Sequence, residues 1–201
     1  MKTSTVADNK QTIIQNALSC KGWTDLLKLS KLFDLVQETE NLDGEILEIG
    51  SAWGRSTVLM GLASKKRIWS IDPHTGGLAY IQKGANQNSY EEFMRNIRAY
   101  GISERVRVLK HTTQEVLDSN LIPDDLIFSL IFIDGLHTAE GVALDFRLSF
   151  KHQKENGVMI FDDYFEPGVN DYTDMIDKLS KKNRISLIRD NLSKLVYFFN
   201  R

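Results

Sequence analysis

GEILEIGSAWGRSTVLMGLA, residues Gly44 to Ala63, runs from a short apolar strand through an acid and two spaced glycines into a helix-forming segment. The pattern predicts a strand over Glu45–Ile49 and a helix over Arg55–Ser64. Dinucleotide loops place their glycines as G-x-G-x-x-G and seat a pyrophosphate on the helix N-terminus. Here the spacing is Gly50-x-x-x-Gly54, and Glu48 stands at the mouth of the loop. A carboxylate there repels a phosphate and attracts an ammonium or sulfonium cation. The plainer alternative is that Gly50 and Gly54 allow a tight turn while Glu48 caps a backbone group.

Around this stretch the apolar period changes repeatedly. QTIIQNAL and WTDLLKLSKLFDLVQE carry helical spacing and read as two leading helices, a helical extension over 11–40 after a flexible start over 1–10. Further strands are expected at Arg67–Ile71, Val106–Lys110, Leu126–Asp134 and Gly157–Phe161, with helices at Ser89–Tyr100, Gln114–Ser119 and Ala139–Gln153. Such alternation predicts an α/β fold, a mostly parallel sheet with helices on both faces. RISLIRDNLSKLVYFFN departs from it as two strand-like runs about a turn, an antiparallel hairpin that completes a seven-stranded Rossmann-like sheet. The 201 residues suit one domain. The longest irregular stretch, Asp72–Ser89, has the length of a functional loop.

Composition removes several function classes. With 25 basic against 27 acidic residues there is no broad positive field, so nucleic acid is not expected as a partner. LIFSLIFI, the longest apolar run, is too short to span a bilayer, and the polar N-terminus lacks a secretory start. Cys20 is the sole cysteine, which excludes an internal disulfide and suits a reducing cytoplasm. A small-molecule ligand remains.

In an open α/β sheet, ligands lie beyond the carboxyl ends of the strands where strand order reverses, and the first strand-to-helix turn lies there. The second strand ends in WSIDP, so Asp72 is placed to accept hydrogen bonds from both hydroxyls of a ribose. Strand, acid, Gly-x-x-x-Gly, helix, strand and terminal acid together suit S-adenosylmethionine, which carries both an ammonium and a sulfonium. From Gly44 onward the chain resembles the class I S-adenosylmethionine-dependent methyltransferases, whose sheet ends in the same hairpin. The resemblance implies that Glu48, Gly50, Ser51, Trp53 and Gly54 surround the methionine part, that Asp72 holds the ribose, and that Thr113 and Gln114 in HTTQEVL lie along the adenine. Trp53 would pack against the cofactor or against a partner chain.

The acceptor chemistry comes from two other strand ends, IFIDGLH and VMIFDDYFE. If these strands are neighbours, about 4.8 Å apart, Asp134 and Asp162 emerge side by side at the cofactor rim, with Asp163 next in sequence. Three carboxylates so close call for a cation or protons, and oxygen-only ligation favours magnesium, calcium or manganese. Each acid alone would more often be a loop or helix cap. The pattern is similar to the metal-dependent O-methyltransferases, the catechol type and the macrolide-sugar and cephalosporin-pathway group, the latter with D-x-x-H at strand four and an acidic pair after strand five. That group tends to Glu-Asp in the pair and the catechol type to Asp-Asn, so Asp162-Asp163 departs from both.

His137, three residues after Asp134, is the candidate general base, since an alcohol needs help to ionise near neutrality. The plainer reading is a loop histidine bonded to a carboxylate. His74, His111 and His152 read as structural or surface residues, Phe146 and Phe150 as helix packing, and KLSKKNR as a solvated basic run. The sum is an S-adenosylmethionine-dependent O-methyltransferase, magnesium-assisted, acting on a hydroxylated small molecule such as a sugar or natural product. Resemblance to the macrolide-sugar group is compatible with a homo-oligomer. Two alternatives are an NAD-dependent oxidoreductase on a similar sheet and a methyltransferase-like domain that binds without turnover.

Overall fold

The computed structural model describes residues 6–76, 88–174 and 187–200. Two leading helices, α1 (Val6–Ser19) and α2 (Leu26–Thr39), precede β1 (Glu45–Ile49), α3 (Arg55–Ala63) and β2 (Ile68–Ile71). There follow α4 (Tyr90–Ala99), β3 (Val106–Leu109), α5 (Thr113–Asp118), β4 (Phe128–Ile133), α6 (Ala139–Lys151) and β5 (Gln153–Phe161). A helix α7 is described over 167–174, and β6 (Ile188–Asp190) and β7 (Leu195–Phe199) close the chain. Side chains start several helices. Asp25 accepts from the Lys28 amide ahead of α2, Thr138 accepts from the Gly141 amide ahead of α6, and Thr112 with Glu115 forms a reciprocal capping box at α5.

The sheet runs β3-β2-β1-β4-β5-β7-β6, with β1 to β5 parallel and β7 antiparallel to both β5 and β6. Alternate residues of each strand serve opposite faces. Ile46, Ile68, Leu130, Phe132, Val158 and Ile160 pack with Leu29, Leu32 and Leu35 of α2 and Leu59 and Met60 of α3 on one side. Leu47, Ile49, Ile131, Ile133, Met159 and Phe161 pack with Val116 of α5 and Val142 and Leu148 of α6 on the other. Strands covered on both faces lose the polar alternation of a half-exposed sheet, which is why FSLIFI of β4 is apolar except for Ser129 and buried along its whole length. No helix among the described residues is long and apolar enough to cross a membrane.

Several boundaries differ from expectation, most of them by one or two residues. α1 begins at Val6, within the stretch read as a flexible start. β5 begins at Gln153, because Gln153 pairs with Phe128 before the chain bulges and pairing resumes at Val158 with Leu130. α6 accordingly ends at Lys151. Most of the Asp72–Ser89 loop and the KLSKKNR run lie outside the described residues.

Strand order reverses between β1 and β4, and their ends are drawn together there. The Asp134 amide donates to the Ile49 carbonyl at 2.8 Å. Gly50 has φ +88°, and a Cβ on it would stand 2.0 Å from the Asp134 carbonyl oxygen. Glycine at this position therefore serves strand-end packing as well as turn geometry. Gly50→Ala is expected to cost about 3 kcal/mol or more, from the left-handed backbone and the forced separation of the two ends. Urea unfolding measures it, and a loss below about 1 kcal/mol would mean that the two ends move apart freely.

Candidate active site

The loop after β1 turns through left-handed residues at Gly50, Ala52 and Gly54, with φ of +88°, +45° and +89°. Ala52 pays a steric penalty there, and the Asp72 carboxylate holds it in place by accepting its amide at 2.7 Å. The other Asp72 oxygen accepts the His74 amide at 2.6 Å. One acid at the end of β2 thus sets both the glycine loop and the start of the next loop. Its side chain stays 14% exposed, so lone pairs remain for a ligand.

Glu48 lies beneath this loop, fully buried. Its oxygens accept hydrogen bonds from the hydroxyls of Ser56, at 2.5 Å, and Thr57 on the first turn of α3. Burial pushes its pKa from 4.5 up to about 8 against the pull of these two donors, and the charges of Asp134 and Asp72 add to the rise. Glu48 therefore meets α3 rather than the open rim, and when it carries a proton one of the two hydroxyls turns to accept it. A ligand cation at the loop would act on it through Ser56, which also borders the cleft.

That cleft is narrow and lies between the Lys21–Thr24 connector of α1 and α2 and the loop Gly50–Trp53, with Arg55, Ser56 and Asp134 also in its lining. Arg55, which the sequence reading did not single out, ties the two sides by donating to the carbonyls of Cys20 at 2.9 Å and Thr24 at 3.0 Å. Gly22 leaves room for it, since a Cβ there would stand 2.8 Å from the Arg55 Cβ. Trp53 is buried, edge-on to the exposed Trp23 at 4.5 Å between ring centroids, and the Lys21 ammonium lies 4.2 Å from its ring centroid. The buried Ser51 hydroxyl has no hydrogen-bond partner among the described residues. An orphan hydroxyl in a cleft that Asp134 also lines fits a polar ligand. A broader groove along α6, walled by Phe146, Phe150 and Tyr172, lies apart from these acids.

The second group forms where β4 and β5 end. Asp134, His137 and Asp163 each bring one ligand atom within 4.8 Å of the others. His137 Nε2 faces Asp134 Oδ1 at 3.4 Å and Nδ1 faces Asp163 Oδ2 at 3.6 Å. The hydrogen bond with Asp134 raises the imidazole above its usual pKa; burial opposes this, and the charges of Asp134 and Asp163 reinforce it. Asp162 stands outside the triad of candidate ligands. It is buried, and its Oδ1 lies 2.5 Å from the Lys28 ammonium, which also reaches Asp163 Oδ1 at 2.6 Å.

Lys28 was missed because it lies on α2, remote in sequence from the strand ends. A signal existed nonetheless. Lys28, Leu32 and Leu35 fall at i, i+4 and i+7, one apolar helical face, and a lysine on such a face is buried and needs a partner. Burial disfavours its charge, but Asp162 and Asp163 outweigh this and hold the ammonium above its ordinary pKa.

The remaining candidates are spread out. The Thr113 hydroxyl donates to Asp145 at 2.5 Å, while Gln114 bonds Asp118 on the exposed side of α5. His74 is buried against Tyr90 and Phe93 with Nδ1 2.8 Å from the Ser89 hydroxyl, and His152 Nδ1 lies 2.9 Å from the Leu126 carbonyl. His111 is exposed. Phe146 stacks on Phe150, but Phe150 stays 44% exposed.

Residues 47–164 match the family model described as a methyltransferase domain. The chain is 29% identical over 147 residues to an uncharacterised protein, R132, of Acanthamoeba polyphaga mimivirus, covering 71% of this chain and 62% of that protein. The chain thus spans about three fifths of that relative's length. Among solved structures it is similar to the O-methyltransferase NovP, with a TM-score of 0.75 and 21% identity over 88% of this chain and 80% of that one. It is also similar to an O-methyltransferase from Bacillus cereus in complex with SAH, with a TM-score of 0.65 and 20% identity over 95% and 90% of the two chains. These structural likenesses establish the Rossmann-like methyltransferase fold expected from the sequence.

The Glu48 environment makes a prediction about stability. Because its pKa is raised from 4.5 to about 8 in the fold, the native state holds this proton more tightly than the unfolded chain. Its contribution is fully present below 4.5 and is lost as pH rises through about 8. Glu48→Gln, which carries no charge, should gain on the wild type by about 1 to 3 kcal/mol between pH 5 and pH 8. Urea unfolding of both proteins at the two pH values checks this; parallel curves would mean that Glu48 is ionised in the fold.

Proposed function

The chain belongs to the methyltransferase-domain family, and on that premise we propose that it transfers a methyl group from S-adenosylmethionine to a hydroxyl of a small molecule, with assistance from a divalent cation. The observation that carries the reading is the position of Asp134. It lines the cleft beginning at Gly50, and it also belongs to the group with His137 and Asp163. A cleft suited to a polar cofactor and a rim suited to proton removal therefore share one side chain. Sugars and natural products are the acceptor class. A cytoplasmic setting belongs to the same proposal, supported by the lone, buried Cys20.

When bound, S-adenosylmethionine supplies an electrophilic methyl on a sulfonium, and a hard divalent ion, magnesium by preference, lowers the pKa of a hydroxyl. In this proposal Asp72 orients the ribose with the lone pairs left by the Ala52 and His74 amides. Ser51, Gly50 and Ser56 face the methionine end, and Trp53 with Trp23 walls the cleft from water. Thr113 and Gln114 are assigned to the adenine side; Gln114 would have to leave Asp118 to serve there.

Asp134 and Asp163 would hold the ion, whose remaining positions go to water and acceptor, as is usual for magnesium. The sequence reading made Asp162 a third ligand; its bond to Lys28 favours leaving it out. His137 is assigned as the base that receives the hydroxyl proton. Its two nitrogens face Asp134 and Asp163; one would turn to the hydroxyl to receive the proton while the carboxylate on the other orients the ring and stabilises the imidazolium after transfer. Holding the oxygen in line with the methyl is the larger part of the task.

Two measurements test the reading. S-adenosylhomocysteine at a hundred times its dissociation constant should stabilise the protein by about 2.7 kcal/mol, and Asp72→Ala should weaken that binding about tenfold or more, the loss of a charge-assisted hydrogen-bond acceptor. A melting shift with NAD and none with S-adenosylhomocysteine would overturn the methyltransferase assignment. His137→Ala should lower turnover by roughly 10² to 10⁴, with S-adenosylhomocysteine and Mn²⁺ affinity nearly unchanged. If His137→Ala abolishes Mn²⁺ binding, His137 is a ligand and not the base.

A further inference from the structure

We propose that Lys28 is a tethered cation that competes with the divalent ion for the acidic rim and so sets how tightly that ion is held. The inference rests on the divalent-ion part of the function proposed above. Lys28 Nζ lies 2.5 Å from Asp162 Oδ1 and 2.6 Å from Asp163 Oδ1, with its side chain only 8% exposed. Asp163 divides its oxygens between Lys28, on Oδ1, and His137, on Oδ2 at 3.6 Å. It does so from a left-handed backbone with φ +50°, and its own amide donates to Asp162 Oδ1 at 2.6 Å. The pair is thus folded into a small cup around the ammonium.

Lys28 cannot easily leave this place. Its backbone amide is the one that the Asp25 side chain caps, at 3.0 Å, and the next residue, Leu29, is wholly buried in the core. An ammonium withdrawn from both carboxylates would remain buried without partners, which is costly. An ion that enters between Asp134 and Asp163 therefore arrives within a few ångströms of a fixed positive charge. Repulsion between unscreened charges at that range outweighs thermal energy several-fold even at a protein dielectric of about 20. Lys28 also competes for Asp163 itself, because an oxygen shared with an ammonium is a poorer donor to a metal. Asp162 becomes the counter-ion of Lys28, which explains why it stands apart from the three residues that converge.

The test is titration of the full-length, metal-stripped chain with Mn²⁺, reading free ion by electron paramagnetic resonance. Lys28→Met keeps most of the length and the apolar stem of the side chain and removes the charge; Lys28→Gln removes the charge and leaves a shorter side chain with a polar end. Whichever retains the wild-type circular dichroism decides the matter. Mn²⁺ should bind that variant about tenfold or more tightly than wild type, Lys28→Arg should bind as weakly as wild type, and adding Asp163→Asn should remove the gain. Equal Mn²⁺ affinity in wild type and the uncharged variant would overturn the competition while leaving the ion site standing. Weaker binding in the uncharged variant would also overturn it, since Lys28 would then be building the site. No Mn²⁺ binding by any of these proteins at millimolar concentration would overturn both this inference and the divalent-ion part of the function.

Discussion

The close approach of β1 and β4 at Gly50 and Asp134 is the constraint on which the rest of the site depends. Strand order reverses there, so the loops leaving the two strands diverge and a cleft opens between them. A side chain on Gly50 would strike the Asp134 backbone, and the bond from the Asp134 amide to the Ile49 carbonyl at 2.8 Å carries the ladder to the last residue. Asp134 is thereby held beside the glycine loop on one side and beside His137 on the other. The two halves of the site can share an acid only because the strands carrying them end in contact.

Carboxylates dominate this region, and their differing environments divide the work among them. Glu48 is buried and satisfied by two hydroxyls, Asp72 is committed to loop amides with a face still open, and Asp162 answers Lys28. Asp134 and Asp163 remain the acids that face the rim with His137. Crowded negative charge is costly in a low-dielectric setting unless cations or protons intervene. The fold supplies some of each: a retained proton on Glu48, the ammonium of Lys28, and the raised pKa of His137.

Much of this was legible in the sequence, for identifiable reasons. Period changes gave the alternation of strands and helices, since side chains at i, i+2 or at i, i+3, i+4 report burial directly. Gly-x-x-x-Gly after Glu48, and acids at the ends of IFID and IFDD, pointed to the candidate site because strand ends in a parallel sheet must gather on one edge. Side-chain direction was not legible. Glu48 sits at the expected place, yet it points under the loop into α3, because its position in β1 puts it on the same face as Ile46. Asp162 and Asp163 are adjacent in sequence but meet different partners, the outcome of a left-handed turn at Asp163 that aspartate tolerates without announcing it. Lys28 and Arg55 were missed for a related reason: both act across long sequence separations, where only packing decides who meets whom.

Both missed residues belong to the contact between the N-terminal layer and the site. Arg55 ties the start of α3 to the connector that faces the Gly50–Trp53 loop, and Lys28 carries α2 to the rim formed by Asp134, His137 and Asp163. The segment read as an extension is thus part of the walls on both sides. Leu29, Leu32 and Leu35 anchor α2 in the core beneath the sheet residues Ile46, Leu130 and Val158, so withdrawing that helix would expose apolar surface at about 25 cal/mol per Å². Lys28 is held at the rim by the same anchoring, beside Asp162 and Asp163. The helix, and with it the connector over the Gly50–Trp53 loop, thereby keeps its place relative to the rim.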